Sequence, residues 1–212
     1  MFAKKTFVII VVLAVVLAIA SGPPVRSGGP TVIDTNIEGD VVWGPEGSPY
    51  IITKNIEVRG YLKVLPGTVI RIGRSVSVDI YGTVELLGEP GKPVIIHYNP
   101  DVWGSISVYS GKFFAKHVIF ENYFRLKEIL NNGSVLIENS VVKGDFEVSE
   151  LVKYNSTLTV RNTVIYGSVE ITPSTKGFVT LNNVTADSLW LYALSESKVK
   201  IENSLFRKIY ID

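Results

Sequence analysis

IEVRGYLKV at residues 56–64 and VDIYGTVEL at residues 78–86 are one pattern written twice, 22 residues apart. Ile56, Val58, Leu62 and Val64 recur as Val78, Ile80, Val84 and Leu86, and Gly60 recurs as Gly82. Strict alternation puts the apolar side chains of each half on one face of a short strand. The glycine between the halves marks a corner that a side chain would obstruct. Working outward, PDVWGSISV at residues 100–108 repeats the spacing once more, with Gly104 at the corner. Ile70 with Ile72 and Val94 with Ile96 add a third strand to the first two repeats. Three short strands per repeat predict a stacked parallel β-helix.

The later chain keeps the period and changes the corner. Phe113/Ala115, Val135/Ile137, Leu158/Val160, Val179/Leu181 and Val199/Ile201 form one column, followed by His117, Asn139, Asn162, Asn183 and Asn203. Phe124/Leu126, Phe146/Val148, Val169/Ile171, Leu189/Leu191 and Ile209/Ile211 form the next strand. The asparagines fall in line with inward apolar positions, where a lone buried amide would cost about 1–3 kcal/mol. Stacked one coil apart they can donate and accept along a ladder, with His117 at its head as a corner residue. The preceding row, Lys116, Glu138, Arg161, Asn182 and Glu202, places opposite charges on neighbouring strands.

The N-terminus differs in kind. Lys4 and Lys5 precede an unbroken apolar run from Phe7 to Ala20, with Ala18-Ile19-Ala20 supplying small residues for cleavage. The run is shorter than the roughly 20 residues of a membrane span, so residues 1–20 read as a signal peptide or, uncleaved, a membrane-anchoring apolar helix. Residues 21–40 follow as a Gly/Pro-rich linker and N-terminal cap, and 41–212 as the β-helix. Both readings of the leader put the body outside the cytoplasm, secreted or at the cell surface. With no cysteine, a disulfide framework is excluded. A formal net charge of only +1 gives no electrostatic reason to expect nucleic acid.

PYIITKNIEVRGYLKVLPGTVIRIGRSVSVDIYGTVELLG, residues 49–88, with its Leu-x-Val-x-Pro-Gly-Thr and Gly-Thr-x-x-x-x-Gly turns, resembles the leading coils of secreted proteins of the pectate-lyase-like superfamily. The resemblance implies an all-β, single-stranded, right-handed parallel β-helix of about seven to eight coils. It implies little about chemistry, since that superfamily holds lyases, hydrolases, adhesins and inert stalks. Its hydrolase motifs (Asn-Thr-Asp, Asp-Asp and His-Gly) are absent from this sequence.

Candidate chemistry sits on the exterior. The spacing of 22 stacks Glu57, Asp79 and Asp101, three like charges that need solvent, Arg59 or a hard cation such as calcium between them. Were the chain an enzyme, these three carboxylates would be its catalytic candidates, since glycoside hydrolysis uses two carboxyl groups. Tyr81 and Trp103 flank that column, and Trp190, Tyr192 and Tyr210 form an aromatic group near the C-terminus, both suited to a glycan or a surface protein. Ile209-Tyr210-Ile211-Asp212 is still strand pattern with no polar segment after it. That edge is expected to pair in a homo-oligomer, dock on a partner, or stand as a short exposed edge. The functional expectation is a non-catalytic exported β-helix, structural or adhesive and polysaccharide-binding. The alternative is a carbohydrate-active hydrolase or lyase.

Overall fold

A computed structural model describes residues 28–98, 104–148, 154–172, 176–192 and 196–212. The leader assigned to residues 1–20 lies outside them, as do Asp101 and Trp103. Among the described residues no helix is long and apolar enough to cross a membrane. Among the described residues the one helical piece is a 3-10 turn at Pro45–Gly47.

The chain is an all-β parallel solenoid of about eight turns. Most turns lay down three strands, and each strand pairs in parallel with its counterparts in the neighbouring turns, those at the two ends on one side only. One wall runs from Ile56–Val58 through Ser77–Ile80, Ser105–Tyr109, Phe124–Leu130, Phe146–Val148 and Ser168–Ile171. The second follows the glycine corner, from Asp40–Trp43 through Tyr61–Val64, Thr83–Leu87, Lys112–Lys116 and Ser134–Glu138. The third includes Tyr50–Ile52, Val69–Ile72, Val94–Tyr98, Val118–Glu121 and Val141–Val142. Farther along, Thr157–Ile165 and Phe178–Leu191 each round a corner as one continuous strand. Pairing already begins at Thr31–Ile33, against Tyr50–Ile52, within the segment read from sequence as linker and cap.

The alternation read from the sequence is the burial pattern: Ile56, Val58, Leu62, Val64, Ile80 and Leu86 all point inward and are buried. The turn at residues 112–124 is filled from all three walls by Phe113, Phe120 and Phe124, beside Ala115. Small and large residues share one layer, which keeps packing dense without widening the coil. Near the N-terminal end the interior leaves a gap of only about 30 Å³, lined by apolar residues including Ile56, Leu62 and Ile80. That gap has room for a water molecule and none for an organic ligand.

The third repeat departs from its sequence alignment. Val78 pairs with Ile106 and Ile80 with Val108, and the corner glycine that packs on Gly82 is Gly111, not Gly104. Two glycines compete for one corner in the sequence. The intervening turn is longer than its neighbours, a length that the exact match to a spacing of 22 conceals.

Candidate functional site

The displaced register rewrites the carboxylate column. Glu57 pairs with Asp79, but the next residue alongside Asp79 is Ser107, followed by Glu128. Asp101, expected there, lies outside the described residues, and Ser107 holds the position. Arg59 neutralises Glu57 through Nε at 2.8 Å. Glu128 Oε1 accepts a hydrogen bond from Tyr109 Oη at 2.5 Å. Burial is the main cause that holds the Asp79 carboxyl above the usual carboxylate range, and the like charges of Glu128 and Glu57 add to it. The Ser107 hydroxyl and Lys127 oppose the rise. Ser107 Oγ is itself buried without a partner at full hydrogen-bond geometry, so its help is weak. Among the described residues no group of three or more His, Cys, Asp or Glu is placed to hold a metal ion, which gives calcium no cage of that size there.

A raised acid is a liability once ionised. Asp79 binds its proton more tightly folded than unfolded, so its contribution to stability falls as pH rises from about 3.8 through the folded value. Asp79→Asn should therefore raise the melting temperature at pH 7 and lose that advantage below pH 3.8, as thermal melts across pH would read.

The aromatic column shifts with the same register. Tyr81 stacks on Tyr109, with ring centroids 5.1 Å apart, in the place expected for Trp103. Arg59 lies over the Tyr81 ring at 5.7 Å, so cation and rings form one continuous stack. Burial, then the bond to Glu128, pushes the Tyr109 phenol well up.

At the C-terminal end Trp190 pairs with Tyr210 in register, their rings 3.7 Å apart and 12° from parallel. Tyr192 lies 6.1 Å from Trp190, also nearly parallel. Strands of successive turns are about 4.8 Å apart along the axis. Rings stacked at that repeat face along the axis and turn their edges outward. The three aromatics therefore offer a sugar no broad platform along the wall. Their free faces lie at the end of the stack, where a cleft of about 430 Å³ opens beside Ile209, Ile211 and Asp212.

The asparagine ladder exists, with its side chains outside. Asn162 Nδ2 donates to Asn139 Oδ1 at 3.2 Å, and Asn183 Nδ2 to Asn162 Oδ1 at 2.9 Å. Asn203 Nδ2 reaches Asn182 Oδ1 at 3.5 Å instead. All four asparagines are exposed, which corrects the inward placement read from the alternation. The reason is the backbone: His117, Asn139, Asn162, Asn183 and Asn203 share φ between 49° and 53°. A single left-handed residue skips one step of the alternation, and asparagine tolerates that region better than most residues.

The inward position passes to the next residue, where Ser140 and Thr163 are buried and Ser204 partly so. Ser140 Oγ accepts from Val118 N at 3.1 Å and donates to Glu138 O at 2.8 Å; Ser204 repeats both bonds with Val184 N and Glu202 O. These hydroxyls give the Val118 and Val184 amides an acceptor in the next turn, while Glu138 O also accepts from His117 N at 3.2 Å. The recurring Asn-Ser and Asn-Thr pairs are the signal that sequence reasoning missed. Asn162→Ala should cost about 1–2 kcal/mol, the left-handed penalty plus the loss of two exposed ladder bonds, and Asn162→Gly less, measured by urea unfolding.

Other exterior groups also bind from coil to coil. Glu138, almost fully buried, lies between Arg161, whose Nε is at 2.7 Å, and Lys116 at 3.8 Å. Glu121 links Lys143 at 2.9 Å and His97 at 2.5 Å, and its carboxyl is held below the ordinary value mainly by the Lys143 hydrogen bond. Tyr61 donates to Glu85 at 2.5 Å, and Arg207 pairs with Asp187.

Comparison with protein-family models, with curated proteins and with solved structures gives no match. What stands of the family resemblance is its coarse part, the parallel β-solenoid.

Proposed function

We propose that the chain is an exported structural β-solenoid of the pectate-lyase-like type, right-handed and non-catalytic, which serves at the cell surface as a rigid or adhesive module. The observation that supports this reading is the coil-to-coil pairing of its exterior. Asn139–Asn162–Asn183, Lys116–Glu138–Arg161 and His97–Glu121–Lys143 each run along the solenoid axis and link successive turns. Groups committed to such staples resist bending and fraying of a stack whose turns touch only their neighbours. Export is supported by the apolar leader Phe7–Ala20.

One observation favours the alternative, a carbohydrate-active enzyme. Asp79, held above the usual carboxylate range mainly by burial, shares a column with the carboxylate Glu128, and glycoside hydrolysis uses two such carboxyl groups on one face. A panel of polysaccharides assayed for both retention and cleavage separates the two. The structural reading expects no turnover, with or without retention. Turnover that disappears in both Asp79→Ala and Glu128→Ala would overturn it.

A further inference from the structure

Three segments of the chain carry the Asn-x-Ser/Thr pattern that accepts an N-linked sugar on the surface of an exported protein: Asn132-Gly133-Ser134, Asn155-Ser156-Thr157 and Asn183-Val184-Thr185. The fold separates them. Asn132 and Asn155 stack one turn apart at the corner between the first wall and the second, where Asn132 N donates to Tyr154 O at 3.2 Å and Asn155 N to Lys176 O at 3.0 Å. Both have a left-handed φ, 65° and 60°, in turns that lead into the strands Ser134–Glu138 and Thr157–Ile165. Both residues are exposed.

Stacked asparagines have another use in this molecule, and the contrast is informative. At the ladder corner Asn139, Asn162 and Asn183 occupy the same backbone region and bond amide to amide. At the Asn132–Asn155 corner neither side-chain amide has a hydrogen-bond partner among the described residues. Their Nδ2 atoms are therefore accessible and uncommitted. Asn183 Nδ2 is held by Asn162 Oδ1 at 2.9 Å, within the continuous strand Phe178–Leu191, so a sugar there would wedge the ladder apart. Beside the open corner Tyr154 is 58% exposed, a flat face against which a sugar ring can pack.

We propose that Asn132 and Asn155 are the acceptors for N-linked glycans and that Asn183 is not. In the transfer, Nδ2 attacks the anomeric carbon of a sugar held through phosphate on a membrane lipid. The bond from Nδ2 to that carbon forms, and the bond from the carbon to the phosphate oxygen breaks. The lipid phosphate leaves with the electron pair, and one amide proton passes to a base of the membrane transferase. The inference rests on the export proposed above, because a chain that stays in the cytoplasm does not meet the transferase.

The full chain, translated in a cell-free system with membrane vesicles that hold an oligosaccharyltransferase and its lipid-linked donor, supplies the test. Protease protection reads translocation, and a mobility shift reversed by peptide N-glycosidase reads the glycan. The translocated chain should show the shift. Asn132→Gln and Asn155→Gln together should abolish it, and Asn183→Gln should leave it unchanged. Glutamine tolerates a left-handed φ less well than asparagine, so Ser134→Ala with Thr157→Val is the second pair, which removes the pattern and keeps both asparagines. A leader that fails to enter the vesicles would count against export alone. The same chain behind a proven signal peptide in place of residues 1–20 then decides the acceptors. A translocated chain with no shift, a shift that survives either pair, or a shift reduced by Asn183→Gln would each overturn the inference.

Discussion

Phe124→Ala is expected to destabilise the solenoid by about 3–5 kcal/mol, the range for truncating a fully buried phenylalanine. Phe124 is 0% exposed and sits where the three walls meet. Its ring centroid lies 4.0 Å from that of Phe120 and 6.2 Å from that of Phe113, both in its own turn. It also lies 5.3 Å from Phe146 in the following turn and 6.2 Å from Tyr98 in the preceding one. The side chain thus carries packing within a turn and across two interfaces. In a stack of nearest-neighbour contacts, loss at such a point weakens the coupling of the two halves as well as the turn itself. Denaturant unfolding followed by circular dichroism should show a lower midpoint, with a shallower transition as the halves begin to melt separately. Phe124→Leu, which refills most of the volume, should cost less than about 1.5 kcal/mol. A loss below 1 kcal/mol for the alanine variant would mean that the aromatic stack does not hold these turns together.

The architecture is legible in the sequence because a solenoid repeats its instructions. The alternation around Gly60 and Gly82 specifies inward faces, and stacking turns that burden into one core without long-range guesswork. The difficulties arise where one residue changes the backbone phase or the length of a turn. A left-handed φ at Asn139 or Asn162 flips the inward position from the asparagine to Ser140 or Thr163, and alternation alone contains no mark of that flip. The spacing from Gly82 to Gly104 fits the period while the register chooses Gly111. That substitution moved Ser107 and Tyr109 into the places read for Asp101 and Trp103. The carboxylate column was therefore half legible: Glu57 and Asp79 by periodicity, Glu128 only through the register. Ring orientation at Trp190 and Tyr210 is a further case, because spacing gives adjacency and not which way a face points.

The glycine corner gives the other large effect. Gly82→Ala should cost about 3 kcal/mol, at the upper end of what forcing volume into a packed site brings. The usual reason for a recurring corner glycine, a positive φ, does not apply, since among the described glycines only Gly67 and Gly91 have one. Space decides instead. A Cβ on Gly82 would stand 2.0 Å from Gly60 O and 2.5 Å from Arg59 O, both backbone atoms that cannot swing aside. The same contact recurs up the column: a Cβ on Gly60 would meet Gly39 O at 2.2 Å, and one on Gly111 would meet Gly82 O at 2.4 Å. Relief at Gly82 must therefore push apart turns whose parallel hydrogen bonds hold them in register. Alanine otherwise favours the folded state by about 0.4–1 kcal/mol through the unfolded chain, so the sign rests on this clash alone. Gly39 supplies the internal control, because a Cβ there meets nothing within 4 Å. Gly39→Ala should be neutral or slightly stabilising in the same denaturation measurement that shows Gly82→Ala as a large loss. Equal effects at the two positions would place the role of this column in chain flexibility rather than in the close approach of neighbouring turns.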